Sequence, residues 1–323
     1  MTRQQEPALL GAIATRLLCA SPMMPMMEQD LDREFSVVAF SAEDTPASLG
    51  EAAAGIVIAV TTGEAGLTGD QIRALPDLRA IVNFGAGYDA TDVAIARERG
   101  IKVSNTPDVL TDCVADMAVG LLINVLRGLS AADRFVRRGQ WETGPFQLTA
   151  KVTGKRVGIV GLGRIGRAIA RRLEAFDMTI SYHNRRPVDG VPYRYVSSVE
   201  GLASECDILV VAVQGGPEST GLISREVLAA LGPAGYLINI ARGSVVDEPA
   251  LVRALSDGTI AGAGLDVFAN EPHVHRELLA MENVVLLPHV GSGTLESRRS
   301  MADLVLANIR QFQTDGTLVT PIS

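Results

Sequence analysis

The stretch "RVGIVGLGRIGRAIARRLEAF" (156–176) constrains the chain more than any other. An apolar run, Val157–Val160, leads into glycines at 161, 163 and 166, and Arg167–Phe176 leads out as a helix. A bare GxGxxG is weak evidence, because glycine is common. Between a strand and a helix it gains a mechanism. Gly161 permits the tight turn, Gly163 leaves a pyrophosphate unobstructed, and Gly166 lets the helix pack close on the strand. The pyrophosphate then meets unpaired N–H groups at the positive end of the helix. The turn therefore reads as a dinucleotide site on a doubly wound α/β fold. A plain βα turn, or a flavin or S-adenosyl site on the same fold, stays open.

The next strand ends in "SYHNRRP" (181–187). Dinucleotide folds that take NAD usually place an Asp or Glu roughly 20 residues beyond the glycines, where it accepts hydrogen bonds from the ribose 2′-OH. Here the position holds Asn184, followed by Arg185 and Arg186. Asn184 has no charge to repel a 2′-phosphate, and a guanidinium pairs with a phosphate through two parallel bonds. The expectation is NADP(H) in preference to NAD(H), with Arg185 the main phosphate contact and Arg186 the second candidate. The competing reading is a solvated basic turn.

Bulk properties narrow the function classes. At roughly 100–200 residues per domain, 323 residues suggest two domains. The net charge is 29 − 37 = −8, so counterion release offers no drive toward nucleic acid. Cys19, Cys113 and Cys206 are widely spaced, with no CxxC. That fits a reducing, cytoplasmic compartment and neither a disulfide framework nor a metal site. The stretch "PALLGAIATRLLCASP" (7–22) resembles a signal peptide, but Arg16 interrupts it and Glu6 stands where a positive flank belongs. No run approaches the roughly 20 apolar residues of a membrane helix.

Alternating elements fill the first third. Strands are expected at 15–20, 36–40, 55–60, 78–84 and 101–105, with helices at 26–35 and 91–100. Strands separated by helices imply a parallel sheet. One long helical stretch then covers 107–141, with Val114, Met117, Ala118, Leu121, Leu122 and Val125 at helical spacing. It reads as a domain connector or an interface element. A second alternating series, six strands in all, runs from 156 to 288, and a final helix covers 294–316.

Three residues stand just after strands of this second series, where open sheets bind ligands. They are Arg242 in "INIARGSVVDE", Glu271 in "DVFANEP" and His289 in "LLPHVGSGT". Reducing a 2-keto acid needs a hydride on carbon and a proton on oxygen. Histidine is the natural donor near neutral pH. A carboxylate beside it favours the charged ring and holds it, and an arginine clamps the substrate carboxylate. Singly, each has a bland reading: Arg242 pairing with Asp247, Glu271 as a surface acid before Pro272, His289 capping a strand. His273 and His275 compete for the acid role from a polar loop.

With these stretches in view, the chain resembles the D-isomer-specific 2-hydroxyacid dehydrogenases. The matches are "VNFGAGYDATD" (82–92), "VGIVGLGRIG" (157–166), "LINIARGSVVDEPAL" (237–251), "GAGLDVFANEP" (262–272) and "LLPHVGSGT" (286–294). The resemblance implies two Rossmann-like α/β domains with a cleft between them. Residues 1–106 plus 292–323 would form a flavodoxin-like substrate domain, and 107–291 the dinucleotide domain. It implies Arg242, Glu271 and His289 as the catalytic trio. Asn83, Phe84, Gly85, Ala86 and Gly87 would bind the substrate with Ser292, Arg242 and His289. Around the glycine turn, Arg164, Ile165, Thr111, Val213, Ala241 and Gly291 would line the cofactor, and Asp266 would hold its carboxamide. "YHNRRP" looks like the NADPH-using glyoxylate, hydroxypyruvate and hydroxyphenylpyruvate reductases. A homodimer through 107–150 is implied, with Trp141 reaching toward the partner's site. The chain departs from the family at Ala115–Asp116, often Ala-Glu, and in the loop "VQGGPEST" (213–220), which includes Gln214.

The expected activity is NADPH-dependent reduction of a small 2-keto acid to the D-2-hydroxy acid. An NAD-dependent dehydrogenase of the phosphoglycerate or lactate type is the enzymatic rival, disfavoured by the missing acid at 184. A nucleotide-sensing corepressor is the non-enzymatic rival, disfavoured by the intact trio and the absence of a basic patch.

Overall fold

The computed structural model describes residues 15–39, 50 and 52–322. Of the signal-like stretch, positions 7–14 lie outside the described residues, as does Phe40 at the end of an expected strand. The chain divides into two compact units, Met1–Pro107 with Arg299–Ser323, and Asp108–Arg298.

The first unit holds β1 (Arg16–Cys19), α1 (Pro25–Glu34), β2 (Ser36–Ala39), β3 (Ile56–Thr62), α2 (Gly69–Arg73), β4 (Ala80–Phe84), α3 (Val93–Glu98) and β5 (Lys102–Ser104). The five strands pair in parallel in the order β2-β1-β3-β4-β5. This is one of the two common doubly wound orders. Strands such as β4, buried along their whole length, read as continuous apolar runs because helices cover both faces of a parallel sheet. Sequence periodicity missed α2, which is only five residues long. Its start is nonetheless fixed by a capping box: Thr68 accepts from the Gln71 N–H, and the Gln71 side chain accepts from the Thr68 N–H.

The second unit opens with α4 (Thr111–Arg127) and α5 (Leu129–Arg137). The single helical stretch expected over 107–141 is therefore two helices, bent by 60°. The break is Gly128, which adopts the left-handed conformation at φ 58° that costs glycine least. Asn124 staples the corner, accepting from the Ser130 N–H at 2.9 Å and donating to its hydroxyl at 2.8 Å. Apolar spacing continues on both sides of the glycine, so the pattern alone did not reveal the bend. α4 buries Val114, Ala115, Ala118, Leu121, Leu122, Val125 and Leu126. It lies against a sheet strand thinned for it: a Cβ on Gly264 would come within 2.7 Å of Leu121 Cγ. α5 buries nothing.

The sheet follows: β6 (Arg156–Val160), α6 (Arg164–Glu174), β7 (Thr179–His183), β8 (Arg194–Tyr195), α7 (Val199–Ser204), β9 (Ile208–Val211), α8 (Arg225–Leu231), β10 (Tyr236–Asn239), α9 (Glu248–Ser256), β11 (Gly262–Leu265) and β12 (Val284–Leu286). α10 (Leu295–Asp315) begins here and belongs to the first unit from Arg299. Seven parallel strands run in the order β12-β11-β10-β9-β6-β7-β8. The strand beyond the six expected is β8, whose two residues are too few to show a period. Chain direction across the sheet reverses between β6 and β9, so the crevice at their carboxyl ends is where such sheets bind ligands. Among the described residues no single helix is long and apolar enough to cross a membrane.

Candidate functional site

The glycine turn sits at that crevice, and its three glycines have distinct constraints. Gly161 is at φ 100°, and a Cβ there would lie 2.7 Å from the Ala212 carbonyl just after β9. Gly166 is closed off by the turn itself, since its Cβ would meet the Gly161 oxygen at 2.1 Å. Around Gly163 a Cβ would find nothing within 4 Å. That open space beside the start of α6, where backbone N–H groups have no helical partner, fits a dinucleotide pyrophosphate. Ile165 is half-buried. Arg164 projects outward and pairs with Asp108 at 2.8 Å.

The end of β7 is tied to this turn. The Leu162 N–H donates to Asn184 Oδ1 at 2.6 Å, so the residue that stands in place of an acid also braces the turn. Arg185 and Arg186 follow, both exposed. Arg185 is ion-paired with Glu218. Among the described residues Arg186 has no hydrogen bond or ion pair.

Arg242, Glu271 and His289 follow β10, β11 and β12, which are neighbours in the sheet. His289 Nδ1 lies 2.8 Å from Glu271 Oε2, with the two side chains 27% and 28% exposed. Glu271 Oε1 accepts from the Phe268 N–H at 2.8 Å, so both carboxylate oxygens are committed. Burial pushes the Glu271 carboxyl up, but hydrogen bonds from His289 and Phe268, with the charges of His289 and Arg242, outweigh it and leave it below its ordinary value.

His289 is held by a second acid. It sits at φ 52°, left-handed for a residue with a Cβ, a conformation that costs roughly 1–2 kcal/mol. Three successive N–H groups converge on Asp266: His289 on its backbone oxygen at 2.9 Å, Val290 on Oδ1 at 2.8 Å and Gly291 on Oδ2 at 2.8 Å. Asp266 is 2% exposed. Burial raises its carboxyl above the ordinary value, and the two backbone donors offset this in part. Sequence reading named Asp266 but not this clamp.

Gly243 was missed altogether. A Cβ there would lie 1.8 Å from the Phe268 carbonyl carbon, so the loop carrying Arg242 touches the loop carrying Glu271 backbone to backbone. The signal was the glycine directly after Arg242. Glu248 braces the same place, accepting from the Ala269 N–H at 3.0 Å.

The remaining expected residues are spread out. Ala241 and Gly291 are buried, and Thr111, Val213 and Ser292 are half-buried in the second unit. The loop of Val213 and Gln214 is closed by the Ser219 hydroxyl, which donates to the Gln214 oxygen at 2.8 Å. Asp116, at one departure from the family pattern, pairs with Arg172. Trp141 is 68% exposed beyond α5. In the first unit, Asn83 is fully buried and structural in its side chain, which donates to the Ser104 oxygen and accepts from Thr91. Phe84 is buried, and Gly85 is half-buried with its N–H on Thr106 Oγ1 at 3.0 Å. Ala86 and Gly87 are half-buried beside it, with the Ala86 oxygen taken by Asn105.

The chain is similar to known proteins along nearly its whole length. Residues 119–291 match the family model described as D-isomer specific 2-hydroxyacid dehydrogenase, NAD binding domain. A hydroxyphenylpyruvate reductase of Plectranthus scutellarioides is 49% identical over 314 residues, covering 97% of this chain and 100% of the relative. A glyoxylate/hydroxypyruvate reductase of Arabidopsis thaliana is 46% identical, with 97% and 100% covered. Among solved structures, an NADPH-dependent glyoxylate/hydroxypyruvate reductase of Sinorhizobium meliloti, in complex with NADP and malonate, aligns with a TM-score of 0.92 at 44% identity, covering 96% of this chain and 97% of that one. The chain belongs to the D-isomer-specific 2-hydroxyacid dehydrogenases.

Proposed function

We propose that the protein reduces a small 2-keto acid to its D-2-hydroxy acid, with NADP(H) preferred over NAD(H). The observation that carries the reading is the Glu271–His289 pair, locked by Asp266 on loops of the same parallel sheet whose β6 leads into the glycine turn. A bound reduced nicotinamide supplies the hydride. His289 supplies the proton: with Nδ1 on Glu271, Nε2 is the ring atom that gives it to the carbonyl oxygen. Glu271 fixes the ring and stabilises its charged form. Arg242 clamps the substrate carboxylate and polarises the carbonyl beside it. Asn83–Gly87 are the first unit's candidates for binding the substrate through backbone groups. Ser292 completes the substrate contacts, and Thr111, Val213, Ala241 and Gly291 those of the cofactor. Glyoxylate, hydroxypyruvate or an aryl pyruvate are the candidate substrates, which is the chemistry that the relatives are named for. The NADP preference is supported by the uncharged Asn184 and the two arginines after it, and by the NADP in the Sinorhizobium structure.

In this reading the unit Asp108–Arg298 binds the cofactor and the other unit serves the substrate. The working form is a cytoplasmic homodimer joined through 107–150. Support for the dimer comes from apolar side chains that this stretch leaves uncovered, Leu129, Val136, Trp141 and Leu148. The test is a panel of 2-keto acids assayed with NADPH and with NADH. One or more is expected to turn over with higher kcat/KM for NADPH. His289→Ala should keep cofactor binding and lose turnover. Equal or higher kcat/KM with NADH would overturn the cofactor preference, and comparable turnover without His289 would overturn the proton donor.

A further inference from the structure

We infer that Glu218 is an internal rival of the cofactor's 2′-phosphate, holding Arg185 back so that Arg186 is the arginine that receives the phosphate first. The inference rests on the NADP reading above and adds a residue that limits it.

Four observations lead there. First, the strand end that carries both arginines is fixed against the glycine turn by the Leu162–Asn184 hydrogen bond of 2.6 Å. The arginines therefore stand at a set place beside the expected ribose. Second, Arg185 is ion-paired with Glu218, 33 residues further along the chain. Third, Glu218 does not hang on a loose tail. Its loop is closed on itself by Ser219, buried to 8% exposure, whose hydroxyl donates to the oxygens of Gln214 and Gly216 at 2.8 and 3.1 Å. Thr220 Oγ1 donates to the Gly216 oxygen at 3.1 Å, and the Gly221 N–H to the Ser244 oxygen at 2.9 Å. Fourth, among the described residues Arg186 has neither an ion pair nor a hydrogen bond.

Electrostatics sets the consequence. A phosphate monoester carries close to two negative charges at neutral pH. To use Arg185 it must displace Glu218, and to use Arg186 alone it must tolerate a carboxylate nearby. A cofactor with a plain 2′-hydroxyl meets neither cost. Glu218 thus reduces the preference for NADP(H) without touching the chemistry. Arg185 and Glu218 are 85% and 75% exposed in their side chains, so the effect is that of an exposed ion pair, about two- to five-fold in affinity. It should shrink as salt rises.

The test is calorimetric titration of the full chain with NADP+ and with NAD+, for wild type, Glu218→Gln, Arg185→Gln, Arg186→Gln and the Glu218→Gln/Arg185→Gln double variant. Glu218→Gln should tighten NADP+ by about two- to five-fold at low salt and leave NAD+ nearly unchanged. Comparing Glu218→Gln in wild type and in the Arg185→Gln background separates the two costs, because without Arg185 only the repulsion between carboxylate and phosphate is left to remove. Arg186→Gln should weaken NADP+ more than Arg185→Gln does. If Glu218→Gln leaves NADP+ affinity unchanged, or tightens both cofactors equally, Glu218 is not a rival and the inference falls. Wild type binding NAD+ as tightly as NADP+ would instead count against the NADP preference. A selective gain in Glu218→Gln would even then uphold the role of Glu218, so the two failures are separable.

Discussion

Replacing Glu271 with Gln isolates what the carboxylate does for His289. The amide keeps an oxygen for the Phe268 N–H, which Glu271 now binds at 2.8 Å, so the loop should hold its shape. The other arm becomes an NH2 group facing His289 Nδ1, where a carboxylate oxygen stood at 2.8 Å. A hydrogen bond to a charged group is worth about 1.5–3 kcal/mol. At 1.36 kcal/mol per tenfold, its loss withdraws about one to two powers of ten from the charged ring at neutral pH. In the proposed mechanism reduction draws its proton from that charged ring. The expected result is a kcat for reduction lower by about 10- to 100-fold at neutral pH. The loss should become smaller as pH falls, with the alkaline limb of the profile moved toward acid. Cofactor affinity should stay as in wild type. The assay is kcat for reduction over a pH series, with cofactor titration as the control. A loss of the same size at every pH would refute the reasoning, because it would mean that Glu271 acts on geometry and not on the protonation of His289.

Gly166→Ala would drive a methyl group to 2.1 Å from the Gly161 oxygen. Loss of cofactor binding together with a fall in Tm is expected, since overpacking typically costs about 1–3 kcal/mol. Thermal melts with and without cofactor check both. Asp266→Ala leaves the Val290 and Gly291 N–H groups without their acceptor and frees His289 from its left-handed turn. A stability loss of about 1–3 kcal/mol in denaturant unfolding is expected, with kcat reduced more than KM for the substrate. The two acids should also imprint opposite pH dependences on stability. Glu271 lies below its ordinary value, so its contribution is present above the ordinary carboxylate range and is lost as pH falls through the lowered value. Asp266 lies above its ordinary value, so its contribution is complete at acid pH and is lost as pH rises through the raised value. Denaturant unfolding of wild type and Glu271→Gln across acid pH should therefore show a difference that closes toward the acid end, and a constant difference would contradict the assignment.

What the sequence revealed, and what it hid, follows from the range over which each feature is determined. Strands and helices of the second series were legible because each carries its own apolar run and its own stop. The bend between α4 and α5 was not, because Gly128 interrupts no periodicity and its left-handed conformation is a choice glycine leaves open. β8 has two residues, fewer than one alternation. Arg185 and Arg186 were visible as a pair, but the pairing of Arg185 with Glu218, 33 positions away in a loop of its own, was not. Asn184 was read for the charge it lacks. Its use of the amide oxygen to brace the Leu162 N–H is a tertiary contact that no local pattern encodes.

The trio was legible for a reason that lies in topology. β10, β11 and β12 are parallel and adjacent in the sheet, and neighbouring strands stand about 4.8 Å apart. Residues placed just past their carboxyl ends must then come near one another, whatever the loops do in detail. Bringing Arg242 and His289 to the same edge thus follows from strand order, while Glu271, six residues past β11, needs its loop as well. Bringing His289 to within 2.8 Å of Glu271 does not follow from strand order. That last step needs a turn that no residue with a Cβ adopts cheaply, and the sequence supplies its remedy from the middle strand: Asp266, one residue past β11, whose backbone and carboxylate oxygens take three consecutive N–H groups from the loop after β12. It supplies a second from the first strand, where Gly243 lets the β10 loop rest directly on the backbone of Phe268. The Glu271–His289 geometry is therefore set by residues to which the proposed mechanism gives no chemical step, which is why a reading confined to candidate chemical groups leaves that support unseen.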